Sequence, residues 1–433
     1  MALSVVILAA GQGTRMRSST PKVLHTISGK PMLFHAIDAA QQVSDDITIV
    51  LYHQAERIQQ EIESHYKGIR FHLQDAEQFP GTGGAMMGVR VTHERILILN
   101  GDMPLITQNS LELLAAGDAP INMSVIELTN PTGYGRVQIS DGKVQKIIEQ
   151  KDCSPAELEI QSVNAGIYCI SKEVLESYIP RLSNDNAQAE YYLTDIVEMA
   201  VSEGKAVEPV IVQEEEFKGV NSKLDLALAE RIMQERIKEE LMMQWVIMRL
   251  PDSIYIDCRA TFEGECFLEN GVTILGKSHL VNAHIKAHSV IEDAMVIDSS
   301  VGPMGRIRPQ THLYHTRIGN FVEIKKSTLT GVKAGHLAYI GDAVIDEGSN
   351  IGAGVIFCNY DGKHKYQTTL GKNVFVGSDS QLIAPVTLSD DVMVAAGSTV
   401  NRDIEQGALA ISRAPLKMIK NFFYKFFAKE KSC

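Results

Sequence analysis

From residue 252 onward, aliphatic side chains return every six positions, most regularly at Leu370, Val376, Leu382, Leu388, Val394 and Val400, with small or polar residues between them. A period of six fits neither the alternation of a half-buried strand nor the three-and-four spacing of an amphipathic helix. It fits a three-sided solenoid in which each short flat face turns one side chain inward and about 18 residues complete a coil. The spacing recurs at Leu268, Ile274 and Leu280, then after a slip of one residue at Ile285, Ile291 and Ile297, and again in the pairs Ile318 with Ile324 and Ile345 with Ile351. Hexad solenoids of this kind coil left-handed, against the usual crossover preference, so a left-handed parallel β-helix of hexapeptide repeats is expected over 252–433. Residues 357–369 interrupt the ladder and read as a polar loop projecting from the prism.

The chain ahead of the ladder follows another rule. Short aliphatic runs at 4–8, 47–51 and 96–99 alternate with helical stretches such as 31–42, which predicts an α/β domain: a Rossmann-like, mostly parallel sheet with helices on both faces. Ligands on such sheets bind where strands end in loops. Residues 222–243 predict a charged amphipathic helix with Leu224, Leu228 and Ile232 on one face, and Pro251 closes that region. The expected organisation is an α/β domain over 1–221, a helical linker over 222–251 and the β-helix over 252–433.

Composition narrows the classes. At 433 residues the chain is long for one core, and 45% hydrophobic residues without any stretch of transmembrane length predict a soluble globular protein. The first apolar run, 3–10, lacks a basic flank and ends in a glycine loop, so it reads as a buried strand rather than a signal peptide. Six scattered cysteines without paired spacing argue against a disulfide framework and a zinc site, and favour a cytoplasmic setting. The net charge of −12 disfavours bulk nucleic-acid binding, because a duplex partner would need a basic face to release counterions. An anionic small substrate must therefore be held by local basic residues.

Two segments carry such residues. The first strand runs into Leu8-Ala9-Ala10-Gly11-Gln12-Gly13-Thr14-Arg15-Met16, followed by Pro21-Lys22. Small residues let backbone amides approach a polyphosphate, and Arg15 and Lys22 add charge. The segment is neither a P-loop nor a dinucleotide fingerprint, and on glycine spacing alone a phosphate loop and an ordinary tight turn both stay open. It resembles the signature of the sugar-nucleotidyltransferase family, and further elements of that family follow in order: Gly81-Thr82-Gly83, Gly101-Asp102, Gly135-Arg136, Glu149 with Lys151, Asn164 with Gly166, and Gly219-Val220-Asn221. The resemblance implies that Leu8, Ala9, Ala10, Gly11, Lys22, Gln74, Gly81 and Thr82 bind UTP, that Gly135, Glu149, Asn164 and Asn221 hold the sugar phosphate, and that Asp102 and Asn221 bind Mg²⁺. Arg15 and Lys22 would neutralise charge as a sugar-1-phosphate oxygen attacks the α-phosphorus and pyrophosphate leaves. The nucleophile is already an anion, so no general base is needed. Three departures from the family pattern bear on the base pocket: Gln74 lies farther from Gly81 than usual, Gly84 replaces a histidine, and Asn100 replaces a tyrosine.

The second segment lies in the ladder. Arg308, Lys325 and Lys365 could neutralise a phosphate if stacked coils bring them together, and His336, with Tyr339 three residues on, sits in a polar break where an imidazole could take a proton from an amine. Over its whole length the chain resembles the bacterial bifunctional UDP-N-acetylglucosamine pyrophosphorylase/glucosamine-1-phosphate N-acetyltransferase family, most specifically in 333–342 and 359–362. That resemblance implies His336 as the general base. It assigns Arg308, Lys325, Tyr339, Asn350 and Lys365 to glucosamine-1-phosphate, and Ala353, Asn359, Tyr360, Ser378, Ala396 and Arg413 to acetyl-CoA. It also implies a homotrimer built through the β-helix. The aromatic segment 421–427 departs from the basic tail of that family and is expected to dock on the solenoid or a neighbour, with no stable membrane contact. Two rivals remain: a single-activity sugar-1-phosphate nucleotidyltransferase with a structural β-helix, and a solenoid acyltransferase with a degenerate first domain.

Overall fold

The computed structural model describes residues 2–148, 150–186 and 188–427. The chain divides into two compact units, Met1–Arg236 and Ile237–Cys433, and the division falls inside the helix Lys223–Gln244.

The first unit is built on a nine-stranded sheet whose main path runs Val207–Ile211, Ile121–Glu127, Ser162–Ser171, Arg95–Asn100, Leu3–Leu8, Asp46–Leu51 and Arg70–Leu73. All pairings along this path are parallel except those of Ser162–Ser171, and a hairpin of Arg136–Ser140 with Lys143–Ile148 is attached to that strand. Leu3–Leu8 is central, and both of its faces are covered. Val5 and Ile7 enter one core with Ile37, Ile49 and Leu97, while Val6 enters the other with Ile96 and Ile98. Burial on both faces is why this strand reads as an unbroken apolar run rather than an alternation. Leu8 pairs with Val50 on one side and Asn100 on the other, so the chain order diverges at this strand. A crevice opens at the carboxyl ends of strands around such a point. The first helix, Met32–Gln41, packs on the same core, close to the expected 31–42.

The long helix buries only part of the face expected: Ile232 packs as expected, but Leu224 does not. Leu224 is 70% exposed, whereas Leu226, Ala229, Ile232 and Met233 pack on Ile27, Met32, Leu105 and Val220. Polar groups share this inward side because they are paired: Glu230 accepts hydrogen bonds from the Ser28 backbone (2.9 Å) and hydroxyl (3.0 Å), and Gln234 donates to the same hydroxyl at 2.9 Å. Past the division, Ile237 and Leu241 cover the start of the second unit's core.

The second unit is a β-helix of three parallel sheets with ten, nine and eight strands. Its inward side chains form one continuous apolar column. Three sequence expectations are corrected. Ile297 is not a rung: Val296 points inward with no exposed surface, pairing with Leu280 and Leu313. The coils are not uniformly 18 residues long: Ile256 pairs with Ile274 and Val376 with Val394 at intervals of 18, but Ile285 pairs with Val301 and Ile274 with Ile291, intervals of 16 and 17. Phe357 belongs to the ladder rather than the loop, fully buried in the strand Ile356–Cys358.

The corners explain the irregular period. Where two rungs are five residues apart, the second residue after the first rung adopts a left-handed backbone: Asn282 after Leu280, Asp293 after Ile291, Asp298 after Val296, His315 after Leu313, Lys326 after Ile324 and Asp342 after Ile340. The six-residue corners after Ile285, Ile307, Ile318, Ala334, Leu370 and Leu388 place it third, at His288, Gln310, Phe321, Leu337, Asn373 and Asp391. Asn and Asp tolerate this conformation because their short polar side chains bond locally.

Candidate active sites

Strand ends of the first unit supply a cavity of about 750 Å³. Leu8 to Gln12 enter from the central strand, Tyr52 from its parallel neighbour and Gln74 from the strand beyond that, Asn100 and Asp102 from the other side, and Asn164 from the antiparallel strand, whose amino end lies at the same edge. Of the residues expected here, Leu8, Ala9, Ala10, Gly11, Lys22, Gln74, Gly81, Thr82, Asp102, Asn164 and Asn221 line it. Gly135 holds Asn164 by accepting a 3.2 Å hydrogen bond from its backbone, and Glu149 lies outside the described residues.

Charge is concentrated at one point. The Lys22 ammonium donates to Asp102 and, at 2.8 Å, to Asn221 Oδ1, which also accepts from Arg15 at 2.8 Å. Lys22 is held there because Gly13, in a left-handed conformation, leaves no room for a side chain: a Cβ would stand 2.5 Å from Lys22 Cβ. Asn221 is held by the start of the long helix. Asp225 accepts from the backbones of Asn221 (3.1 Å) and Ser222 (2.8 Å) and from the Ser222 hydroxyl (2.9 Å). Burial alone would raise the Asp225 carboxyl, but these hydrogen bonds outweigh it and hold the group below the usual carboxylate range. Carboxylate and amide oxygens converging on a cationic atom are hard donors. That chemistry fits Mg²⁺, which takes one or two protein oxygens and fills its shell with water and phosphate.

The departures noted in the sequence have structural reasons. Gly84 has no space for a side chain, since a Cβ would lie 2.1 Å from the Phe79 carbonyl oxygen. Gln74 donates from its amide nitrogen to the Phe79 (2.9 Å) and Gly81 (3.1 Å) carbonyls, which leaves its side-chain oxygen as an acceptor in the cavity. Asn100 donates to Gly166 at 3.1 Å. Tyr52, Tyr134 and Glu190 also line the cavity and were missed. Tyr52 had a readable signal, its place directly after a buried strand. Glu190 had none, because it arrives through contacts made by its neighbour: Tyr191 bonds the backbones of Pro80 and Gly83.

The second unit gathers its residues at corners of successive coils. Arg308 and Lys325 follow paired rungs on adjacent coils, and Lys365 comes from the loop between Cys358 and Thr368. The Lys365 ammonium beside Lys325 pushes the Lys325 ammonium below the usual lysine range, and burial and Arg308 act in the same direction. Three cations therefore crowd one place, with Glu323 bonded to Arg308 at 2.7 Å. The loop is braced by Asp361, which accepts from the backbones of Lys363 and His364, and by Asn359, which donates to Asp342 at 2.5 Å. Tyr360 bonds the Gly362 carbonyl at 2.6 Å. Tyr339 lies over Gly341, where a Cβ would stand 2.7 Å from its hydroxyl. His336 is exposed at the end of the strand Lys333–His336 on the adjoining sheet, not in a break of the ladder, and Asn350 pairs with Lys333 on that sheet. A separate column forms one coil after another. The Ala353 carbonyl accepts from Asp379 (2.8 Å), that of Ser378 from Gly397 (2.8 Å), and that of Ala396 from Arg413 (2.8 Å).

A strand-end cavity with convergent cations, followed by a β-helix bearing its own cationic corner, defines a nucleotidyltransferase fused to a solenoid transferase. Residues 5–135 match the family model of the MobA-like NTP transferase domain. Along the full length the chain is 71% identical to the bifunctional protein GlmU of a Sulfurovum species, covering 99% of each protein. It is 59% identical to that of a Nitratiruptor species, over 99% of this chain and 100% of that one, and 54% identical to that of Wolinella succinogenes, over 100% of both. The chain belongs to the GlmU family.

Proposed function

We infer that the chain makes UDP-N-acetylglucosamine by two transfers: the second unit acetylates glucosamine-1-phosphate with acetyl-CoA, and the first couples the N-acetylated product to UTP with release of pyrophosphate. The carrying observation is that each unit has its own cluster of cations suited to phosphate, Lys22 with Arg15 in one and Arg308, Lys325 and Lys365 in the other.

In the first site, backbone amides of 9–13 and the Arg15 and Lys22 side chains bind the triphosphate. Gly81, Thr82 and Gln74 flank the base, the last through its remaining acceptor oxygen. Gly135, Glu149 and Asn164 orient the N-acetylated sugar so that its phosphate oxygen faces the α-phosphorus. Asp102 and Asn221 would hold Mg²⁺, whose charge would offset that of the phosphates. In the second site, Arg308, Lys325 and Lys365 hold the sugar phosphate, with Tyr339 and Asn350 beside the ring. His336 takes the proton from the 2-amino group as its nitrogen attacks the thioester carbonyl, and the CoA thiolate leaves. Ala353, Asn359, Tyr360, Ser378, Ala396 and Arg413 flank the acetyl-CoA. Exposure of His336, Tyr360, Ser378 and Arg413 on the prism supports a site completed by neighbouring subunits in a homotrimer. UTP and acetyl-CoA place the work in the cytoplasm.

The test supplies UTP, Mg²⁺, acetyl-CoA and glucosamine-1-phosphate and follows products by mass spectrometry. His336→Ala lowers acetylation by about 10²-fold or more yet still consumes supplied N-acetylglucosamine-1-phosphate, whereas Asp102→Ala accumulates it. A wild-type protein that never acetylates the amine would leave the solenoid a scaffold and sink the reading.

A further inference from the structure

The segment 416–427 does not dock on the solenoid: Leu416 is 94% exposed, and Ile419, Phe422, Phe423, Phe426 and Phe427 each expose more than half of their surface. It contains Lys417, Lys420 and Lys425 and no acidic residue, in a chain whose net charge is −12. Its order along the chain is not random. Placed on one helix at about 100° per residue, Leu416, Ile419, Phe422, Phe423, Phe426 and Phe427, with Met418 at the edge, occupy one half of the circumference. Lys417, Lys420 and Lys425, with Asn421 and Tyr424, occupy the other half, and Lys420 and Lys425 flank the two boundaries of the apolar side. Only Phe422–Phe426 is helical in the structure, and Asn421 ahead of it is left-handed (φ 60°). The rings pack on one another, Phe423 against Phe427 at 4.7 Å and Phe422 against Phe426 at 5.7 Å.

We propose that 416–427 is a peripheral membrane-docking segment that straightens into a single helix on an anionic bilayer surface. An apolar half-cylinder of large aromatic side chains lies among acyl chains, and long lysine side chains at its borders reach the headgroups. The absence of carboxylates from the segment matches anionic lipid in particular, since neutral lipid offers no charge to three lysines. This contact is distinct from membrane spanning: among the described residues no helix is long and apolar enough to cross a bilayer. It leaves both sites unchanged.

The experiment sediments the full chain with phosphatidylcholine vesicles, with or without about one-third phosphatidylglycerol. Wild type co-sediments with anionic vesicles and not with neutral ones, and its helical circular dichroism rises on binding. Phe423→Ser with Phe426→Ser, and separately Lys417→Glu with Lys420→Glu and Lys425→Glu, lower partitioning at least tenfold while both transferase activities stay at wild-type level. Absence of wild-type binding to anionic vesicles overturns the proposal. So does a change of oligomeric state in these variants without vesicles, which would assign the apolar face to a second copy of the chain.

Discussion

His35 shows how a single residue sets a condition on the fold around the first site. It is buried in the first helix and makes a 2.9 Å hydrogen bond to the Ile27 carbonyl through Nε2, which must carry the proton. Burial lowers its pKa to about 4, with the hydrogen bond opposing. An unfolded histidine titrates near ~6.5, so between these values the unfolded chain takes up the proton first. The stabilising contribution is complete above about pH 6.5 and is lost as pH falls toward 4, amounting to about 2 kcal/mol by pH 5. Urea unfolding of the first unit at pH 7 and pH 5 checks this, since His35→Gln should shrink the difference between the two midpoints. An equal pH dependence in the variant would assign the effect to His25 and His72, which are lowered in the same direction. The family resemblance marked Lys22, Asp102 and Asn221, through the ordered set of motifs in which they stand. It said nothing of Gly84's reason, which is the Phe79 carbonyl pressed against it.

At the scale of elements, the β-helix is a lesson in register. Ile297 is larger than Val296 and continues a six-residue count, yet Val296 is the rung because Asp298, left-handed, turns the corner after it. The additional methylene of isoleucine is worth only about 0.8 kcal/mol, far less than misplacing every side chain of a coil. Substitution reads this register directly. Val296→Asp buries a charge in the apolar column and should cost several kcal/mol, whereas Ile297→Asp, on the outer side, should stay within about 1 kcal/mol. Thermal melting of the two variants discriminates them, and a more damaging Ile297→Asp would return the ladder to an uninterrupted six. At Asn282, Asp293, Asp298 and Asp342 the signal for the shorter corners was present as Asn or Asp two residues after a rung, but a count of aliphatic spacing does not read it. In the long helix the failure was of another kind. Glu230 and Gln234 face inward because Ser28, some two hundred residues earlier, satisfies them.

For the molecule as a whole, two sites in two compact units predict that the intermediate can pass through solvent. Separately purified His336→Ala and Asp102→Ala proteins, each unable to make UDP-N-acetylglucosamine from glucosamine-1-phosphate, should make it when mixed, after a lag that shortens as protein concentration rises. Mixtures that accumulate N-acetylglucosamine-1-phosphate without converting it would contradict free release. The α/β alternation, the six-residue ladder and the glycine-rich loop with its trailing Lys22 were all determined by the sequence, because each is a short-range pattern carried by a few turns of chain. Contacts between distant segments were decided only by the tertiary structure. Lys22 meets Asp102 and Asn221 because strand ends converge where chain order diverges, and Lys325 meets Lys365 because a loop between two coils folds back beside a corner. Spacing along a chain sets which face a side chain presents, and only packing sets what stands opposite it.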